Sequence, residues 1–123
     1  MAVTPSYRDY VLDQLSGLGR VRANRMFGGA GLYCEELFFG IVADDTLYLK
    51  VDDSNRPDFI ARGMAPFRPY RDKPELSMRY YEVPADVLED AEELVAWGRK
   101  AIRVAAASPR KRPAAREPRK SRR

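Results

Sequence analysis

Protein chemistry depends on particular side chains, and this sequence is short of the usual ones. It contains no histidine and one cysteine, Cys34. A nucleophilic or redox-active thiol there would need a lysine, an arginine or a helix terminus to lower its pKa. A free cysteine that only fills space beside apolar neighbours needs no such partner, and that reading is preferred. A single cysteine cannot form an intramolecular disulfide, and without histidine the commonest zinc sites lack ligands. Both features fit a reducing compartment, so the expected location is cytoplasmic.

Two acidic pairs, Asp44-Asp45 and Asp52-Asp53, have the oxygen chemistry to hold a hard cation. Turn and helix-cap chemistry explains both without a metal. The cluster Gly28-Gly29-Ala30-Gly31 suggests a phosphate cradle, yet it leads into Leu32-Tyr33-Cys34 rather than Gly-Lys-Ser/Thr and a helix, so it reads as a bulge or tight corner where the backbone needs positive φ or close approach. General acid–base work would fall to carboxylates, lysine or tyrosine, which are not clustered in sequence. The expectation is a non-catalytic protein with no cofactor and no metal.

Two cationic features remain. Tyr48, Lys50 and Arg79, with Tyr80 and Tyr81, place aromatic and charged side chains on neighbouring β-rich stretches, a combination that stacks single-stranded bases. Strand alternation sends Tyr80 and Tyr81 to opposite faces, so ordinary sheet packing is preferred, and Tyr48, Lys50 and Arg79 stand as a candidate interaction surface. After Ser108 come Arg110, Lys111, Arg112, Arg116, Arg119, Lys120, Arg122 and Arg123 against the single acid Glu117. This tail carries +7 in a chain of net charge +4, leaving −3 on residues 1–107. Its eight cations are candidate nucleic-acid contacts through phosphate neutralisation. Sequence-specific readout would need a recognition helix or zinc module, and neither is legible.

The elements that must position these residues belong to one domain. The chain has 123 residues, enough for a modest core. The domain is assigned to residues 1–107, with 108–123 a disordered basic tail whose composition cannot offset the entropy of ordering. Residues 25–51 organise the domain: short apolar blocks separated by turn-like breaks read as successive strands of one antiparallel sheet. Residues 20–27 are a first strand and 32–34 a short second one. Residues 37–43 are apolar on both faces, which suits a central strand covered on both sides or a surface shared with a second subunit, hence a candidate homodimer. Glu35-Glu36 is poor at the positive φ of a two-residue hairpin, so a longer loop is expected there. Residues 46–51 alternate cleanly, with Leu47, Leu49 and Val51 against Tyr48 and Lys50.

Thr4 and Pro5 open a helix reaching residue 15 or 16, with Tyr7, Val11, Leu15 and Leu18 as its apolar stripe. Residues 55–62 form a short helix closing on Gly63. Residues 67–70 suit an edge strand and 77–83 are β-rich. A final helix over 91–106 begins with the capping-box spacing of Asp90 and Glu93 and carries Leu94, Trp97, Ala101 and Val104, with Trp97 the expected largest contributor to the core. No stretch approaches the roughly 20 apolar residues that span a bilayer, and no secretory leader is visible, so the protein reads as soluble.

These blocks are collinear with a known pattern. RMFGGAGLY (25–33), FFGIVADDTLYLKVD (38–52), RPDF (56–59), PF (66–67), MRYYEVP (78–84) and LVAWGRKA (94–101) resemble, in that order, the N-terminal domain of the TfoX/Sxy family. Its members are bacterial proteins associated with regulation of competence for DNA uptake. The resemblance implies an α+β two-layer sandwich, α-β-β-β-α-β-β-α, with an antiparallel sheet covered by helices, and it brings no catalytic residues with it. Full-length competence regulators of the family add a C-terminal helical domain where this sequence has its basic tail. The expected function is a regulatory or adaptor protein acting through contacts with a protein partner of unknown identity. The alternative is a nucleic-acid-binding accessory protein whose tail supplies non-specific affinity. No membrane contact is expected.

Overall fold

A computed structural model describes residues 3–26, 29–67 and 79–107. Thr4 and Pro5 open the first helix, α1 (Pro5–Gln14). Thr4 Oγ1 accepts from the Tyr7 N–H at 3.3 Å, and proline at the first position gives up only an N–H that has no helical acceptor. Val11 and Leu15 are fully buried, with Tyr7 and Leu18 packed at the margins of the stripe. A 3-10 turn, Ser16–Leu18, then leads to Gly19, whose φ of 104° is a conformation that favours glycine.

Five antiparallel strands form a meander, ordered across the sheet as β1 (Val21–Met26), β2 (Gly29–Cys34), β3 (Leu37–Ala43), β4 (Thr46–Lys50) and β5 (Tyr80–Glu82). Helix α2 (Arg56–Ile60) follows β4, while α3 (Ala85–Leu88) and α4 (Ala91–Ala107) follow β5. The fold is α+β, and its element order follows α-β-β-β-α-β-β-α in outline. Four strands precede α2, and the last strand pair consists of residues 65–67 lying against β5. Pro66 bridges Tyr81, the Phe67 N–H donates to the Tyr80 carbonyl at 2.8 Å, and the Glu82 N–H donates to the Ala65 carbonyl at 3.0 Å. Proline fits there because this is the rim of the sheet. The rest of the expected edge strand, residues 68–70, lies outside the described residues, as does the tail.

Two connections differ from the sequence reading. Glu35-Glu36 closes a two-residue hairpin rather than a longer loop, with Glu35 at φ 57°. The pairing of β2 with β3 runs to Cys34 and Leu37, directly against the turn, so strand register overrides the local preference of glutamate. Gly29, Ala30 and Gly31 are not a corner but the first half of β2, paired with Met26, Arg25 and Asn24. A Cβ on Gly29 would stand 2.4 Å from the Val42 carbonyl oxygen, so glycine here permits close approach of β2 and β3.

The bulge lies elsewhere, in β3. Tyr33 pairs with Phe38 while Leu32 pairs with Gly40, which leaves Phe39 as an extra residue. One inserted residue reverses the alternation. Leu37, Phe39 and Val42 therefore all face the helices, and Phe38, Ile41 and Ala43 all face the other side.

Every described helix packs on one face. Val11, Leu15, Phe59, Val87, Leu94, Ala101 and Ala105 meet Leu32, Phe39, Val42, Leu47, Leu49 and Tyr81. Each large apolar side chain buried there contributes about 1.5–3 kcal/mol, so this layer holds the fold. Trp97 is not its centre. It is only partly buried, meeting Phe59 edge-on at 4.8 Å and donating from Nε1 to Glu93 at 3.3 Å. Phe39 and Phe59 are the fully buried aromatics, and Gly98 takes the inward position beside Leu15 and Leu18. At the start of α4, Asp90 accepts from the Glu93 N–H at 3.2 Å, as the capping spacing predicts.

One buried polar side chain, Asn55, has no counterpart in the sequence reading. It is 1% exposed. Its Oδ1 accepts from the Asp52 N–H at 2.9 Å and its Nδ2 donates to the Lys50 carbonyl at 3.0 Å, clasping the end of β4 to the start of α2. Asn55→Ala is expected to leave both backbone groups unpaired and to destabilise the fold by about 2 kcal/mol. Thermal unfolding should show a Tm several degrees lower. Arg62→Ala, which breaks the exposed Arg62–Asp86 pair, should change Tm far less.

Candidate functional site

Opposite the described helices, the sheet presents a second, smaller cluster that among the described residues includes no helical one. Ile41, Ala43 and Phe67 are buried there, with Phe38, Tyr48 and Tyr80 packed against them. Alternation puts them there: Tyr48 and Lys50 stand between the core residues Leu47, Leu49 and Val51, and Tyr80 and Glu82 flank buried Tyr81.

Within this face a row crosses the sheet. Arg22 pairs with Tyr33, Tyr33 with Phe38, and Lys50 with Tyr80. The Arg22 guanidinium lies 4.8 Å from the Tyr33 ring centre and donates to the Glu35 carbonyl at 3.4 Å. Tyr33 and Phe38 stack at 5.0 Å and 22°, and Phe38 meets Tyr80 at 5.8 Å and 41°. Beside the row, Tyr48 packs on Phe67 at 4.7 Å. Arg22 is exposed, and Tyr33, Phe38, Tyr48, Lys50 and Tyr80 are each partly so.

Ring orientation decides what this surface can do. Stacking a nucleobase needs a ring face turned to solvent. The Tyr33 ring instead has Phe38 from one neighbouring strand and Arg22 from the other against it, so its edge and hydroxyl are what it offers outward. Ring edges, phenol groups and cations beside an apolar floor match the composition of protein contact surfaces.

Of the residues singled out by sequence, Tyr48 and Lys50 sit on this face. Arg79 is exposed in the turn before β5, its carbonyl accepting from the Val51 N–H at 2.7 Å. It stands just outside β5, whose Tyr80 joins the row. Sequence reasoning missed Arg22, Tyr33 and Phe38. The alternation of Arg22 with Val21 and Ala23 was a usable signal, but the Phe39 bulge hid the common face of Phe38 and Ile41. The eight tail cations, Arg110 to Arg123, lie outside the described residues.

The remaining candidates have structural employment. Cys34 is a free, half-buried thiol against the helix-side core. Asp44 and Asp45 form the β3–β4 hairpin at φ 54° and 51°. The Asp45 carboxylate accepts from the Thr4 N–H at 2.9 Å and the Thr4 hydroxyl at 3.2 Å, fixing the start of α1. Asp52 accepts from Ser54, and Asp53 pairs with Arg56. Among the described residues no group of three or more His, Cys, Asp or Glu side chains is placed to hold a metal ion. No described helix is long and apolar enough to cross a membrane.

A two-layer α+β domain with its described helices on one side and an aromatic row on the other defines a class of small sheet-and-helix domain rather than an activity. The model of the TfoX N-terminal domain matches residues 13–105, and the chain belongs to that family. It is also similar to a protein of Spirochaeta aurantia described as an uncharacterized 12.7 kDa protein in the trpE 5′ region. The two are 34% identical over 96 residues, covering 74% of this chain and 73% of the relative.

Two phenols near this architecture are perturbed. Burial raises the Tyr48 pKa above 10.0, with Glu82 and Asp44 adding and the Thr46 hydroxyl opposing. Burial, then Asp45, pushes Tyr7 up to about 12. Both hold their protons more tightly folded than unfolded, so their stabilisation is complete below the unfolded value near pH 10 and drains as pH rises through the folded values. Denaturant midpoints measured from about pH 9 to 12 should therefore fall, with a shallower fall in Tyr7→Phe and in Tyr48→Phe. A slope unchanged in both variants would refute these assignments.

Proposed function

We propose that this protein is a non-catalytic regulatory or adaptor protein of the cytoplasm, working through protein contacts made by the sheet face opposite its helices. The observation that carries this reading is the row of Arg22, Tyr33, Phe38, Lys50 and Tyr80 on the sheet face opposite the described helices. Tyrosine and arginine dominate the energetics of protein interfaces because they bring large, stiff contact area with a polar end. Membership of the TfoX N-terminal domain family supports the same direction, toward regulation of transcription and competence. Among the described carboxylates, Asp45, Asp52, Asp53, Asp58, Asp86 and Asp90 are engaged in turns, caps and ion pairs.

The tail favours a second reading, in which the protein is an accessory to nucleic acid. Eight cations against one acid neutralise phosphates without reading sequence, with a salt slope of at most about −7 on duplex DNA. The two readings separate in one experiment. Immobilised full-length chain is exposed to native cytosol with and without nuclease, beside Tyr33→Ala and a chain ending at residue 107, each checked for fold by circular dichroism. Partners that survive nuclease and bind Tyr33→Ala about tenfold more weakly support the adaptor. Partners lost on nuclease treatment and on tail removal transfer the function to the tail.

A further inference from the structure

The two rims of the sheet are built differently. Beyond β5 the chain covers its own edge, with residues 65–67 bonded to Tyr80 and Glu82. β1 has β2 on one side and, among the described residues, no strand on the other. An edge strand turns the N–H and C=O of every second residue outward, and proteins blunt such edges with prolines, bulges, very short strands or charged side chains. β1 has no proline and no bulge. It runs six residues, VRANRM, in unbroken register from Val21 opposite Cys34 to Met26 opposite Gly29. What it carries is charge. Arg20, Arg22 and Arg25 fall within six residues with no acid between them, on a body of net charge −3, and all three are exposed.

That charge selects the occupant. A second copy pairing edge to edge would set arginines against arginines, and the chain's own tail is cationic, so both are repelled. Nucleic acid would find the arginines, but outward carbonyls along the edge repel its phosphates. An extended acidic peptide answers both parts: its backbone completes the ladder and its carboxylates accept from the guanidinium groups in the paired geometry arginine favours. We propose that the outer edge of β1 is a docking site that takes an extended acidic segment of a partner protein as an added strand. Arg22 also packs on Tyr33 of the aromatic face, so Arg20 and Arg25 are the cations that distinguish the edge, and the site stands whether or not that face binds anything.

The test uses the full chain and three probes: a peptide of alternating glutamate and valine about eight residues long, its lysine–valine counterpart, and an oligothymidylate of similar length. Binding is followed by fluorescence anisotropy at low salt, and its location by amide hydrogen exchange. The glutamate peptide should bind saturably and protect amides within residues 21–26, and the lysine peptide should not. The double variant Arg20→Glu/Arg25→Glu should weaken the glutamate peptide by about tenfold or more with Tm unchanged. Tyr33→Ala should alter its binding by no more than about twofold, which separates this site from the face. No binding of the glutamate peptide, binding without protection in β1, equal binding of the lysine peptide, or binding of the oligonucleotide alone would each overturn the proposal. If the double variant does not fold, the exchange pattern of the wild-type chain decides.

Discussion

A single inserted residue sets the terms for the rest of the structure. Phe39 is the bulge of the central strand, and it shifts the phase of β3 so that Val42 rather than Ile41 joins Leu37 and Phe39 on the helix side. On one side it delivers Leu37, Phe39 and Val42 to the helices, and on the other Phe38, Ile41 and Ala43 to the aromatic face. Gly40 beside it leaves room for Leu32 and Leu49, whose methyl groups would stand 3.5 and 3.3 Å from a Cβ there. A residue slipped at this point would turn Ile41 and Ala43 toward the helices and Val42 away from them. Both layers therefore depend on one register.

The helix layer is held by apolar burial, while a few polar contacts fix where its helices begin. Asp45 secures the start of α1 from the β3–β4 hairpin, and Asn55 ties α2 to the end of β4. Gln14 donates to the Leu88 carbonyl at 2.9 Å, joining the end of α1 to α3. The exposed ion pairs, such as Lys100–Asp58 at 2.8 Å, add little because water and salt screen them. With the helices settled on one side, the functional possibilities move to the other side and to the rims. The apolar block at residues 37–43, which from sequence alone suits a central strand covered on both sides or a surface shared with a second subunit, packs within its own chain on both faces.

Much of the fold was legible because it rests on local rules. Thr4-Pro5, the Asp90–Glu93 spacing, the alternation of 46–51 and Gly63 each act over a few residues, and each appears where the sequence places it. The misreadings share one cause. Glu35 at positive φ, Gly29 to Gly31 inside a strand, and Trp97 at the margin rather than the centre are all decided by neighbours distant in sequence. A glycine run signals freedom of the backbone, but whether that freedom serves a turn or a close approach depends on what lies opposite, here the Val42 carbonyl.

The sequence by itself determined the class of fold, the family, the asymmetry of charge between body and tail, and the presence of Tyr48 and Lys50 on one side of their strand. These follow from composition, motif order and a period of two that runs unbroken through β4. Only the tertiary structure decided which residues stand beside them. Arg22, Tyr33, Phe38 and Tyr80 come from four different strands, and their alignment depends on inter-strand register and on the Phe39 bulge. Register is a relation between segments, so it is settled by pairing and burial across the whole sheet and is not carried by any one stretch of chain.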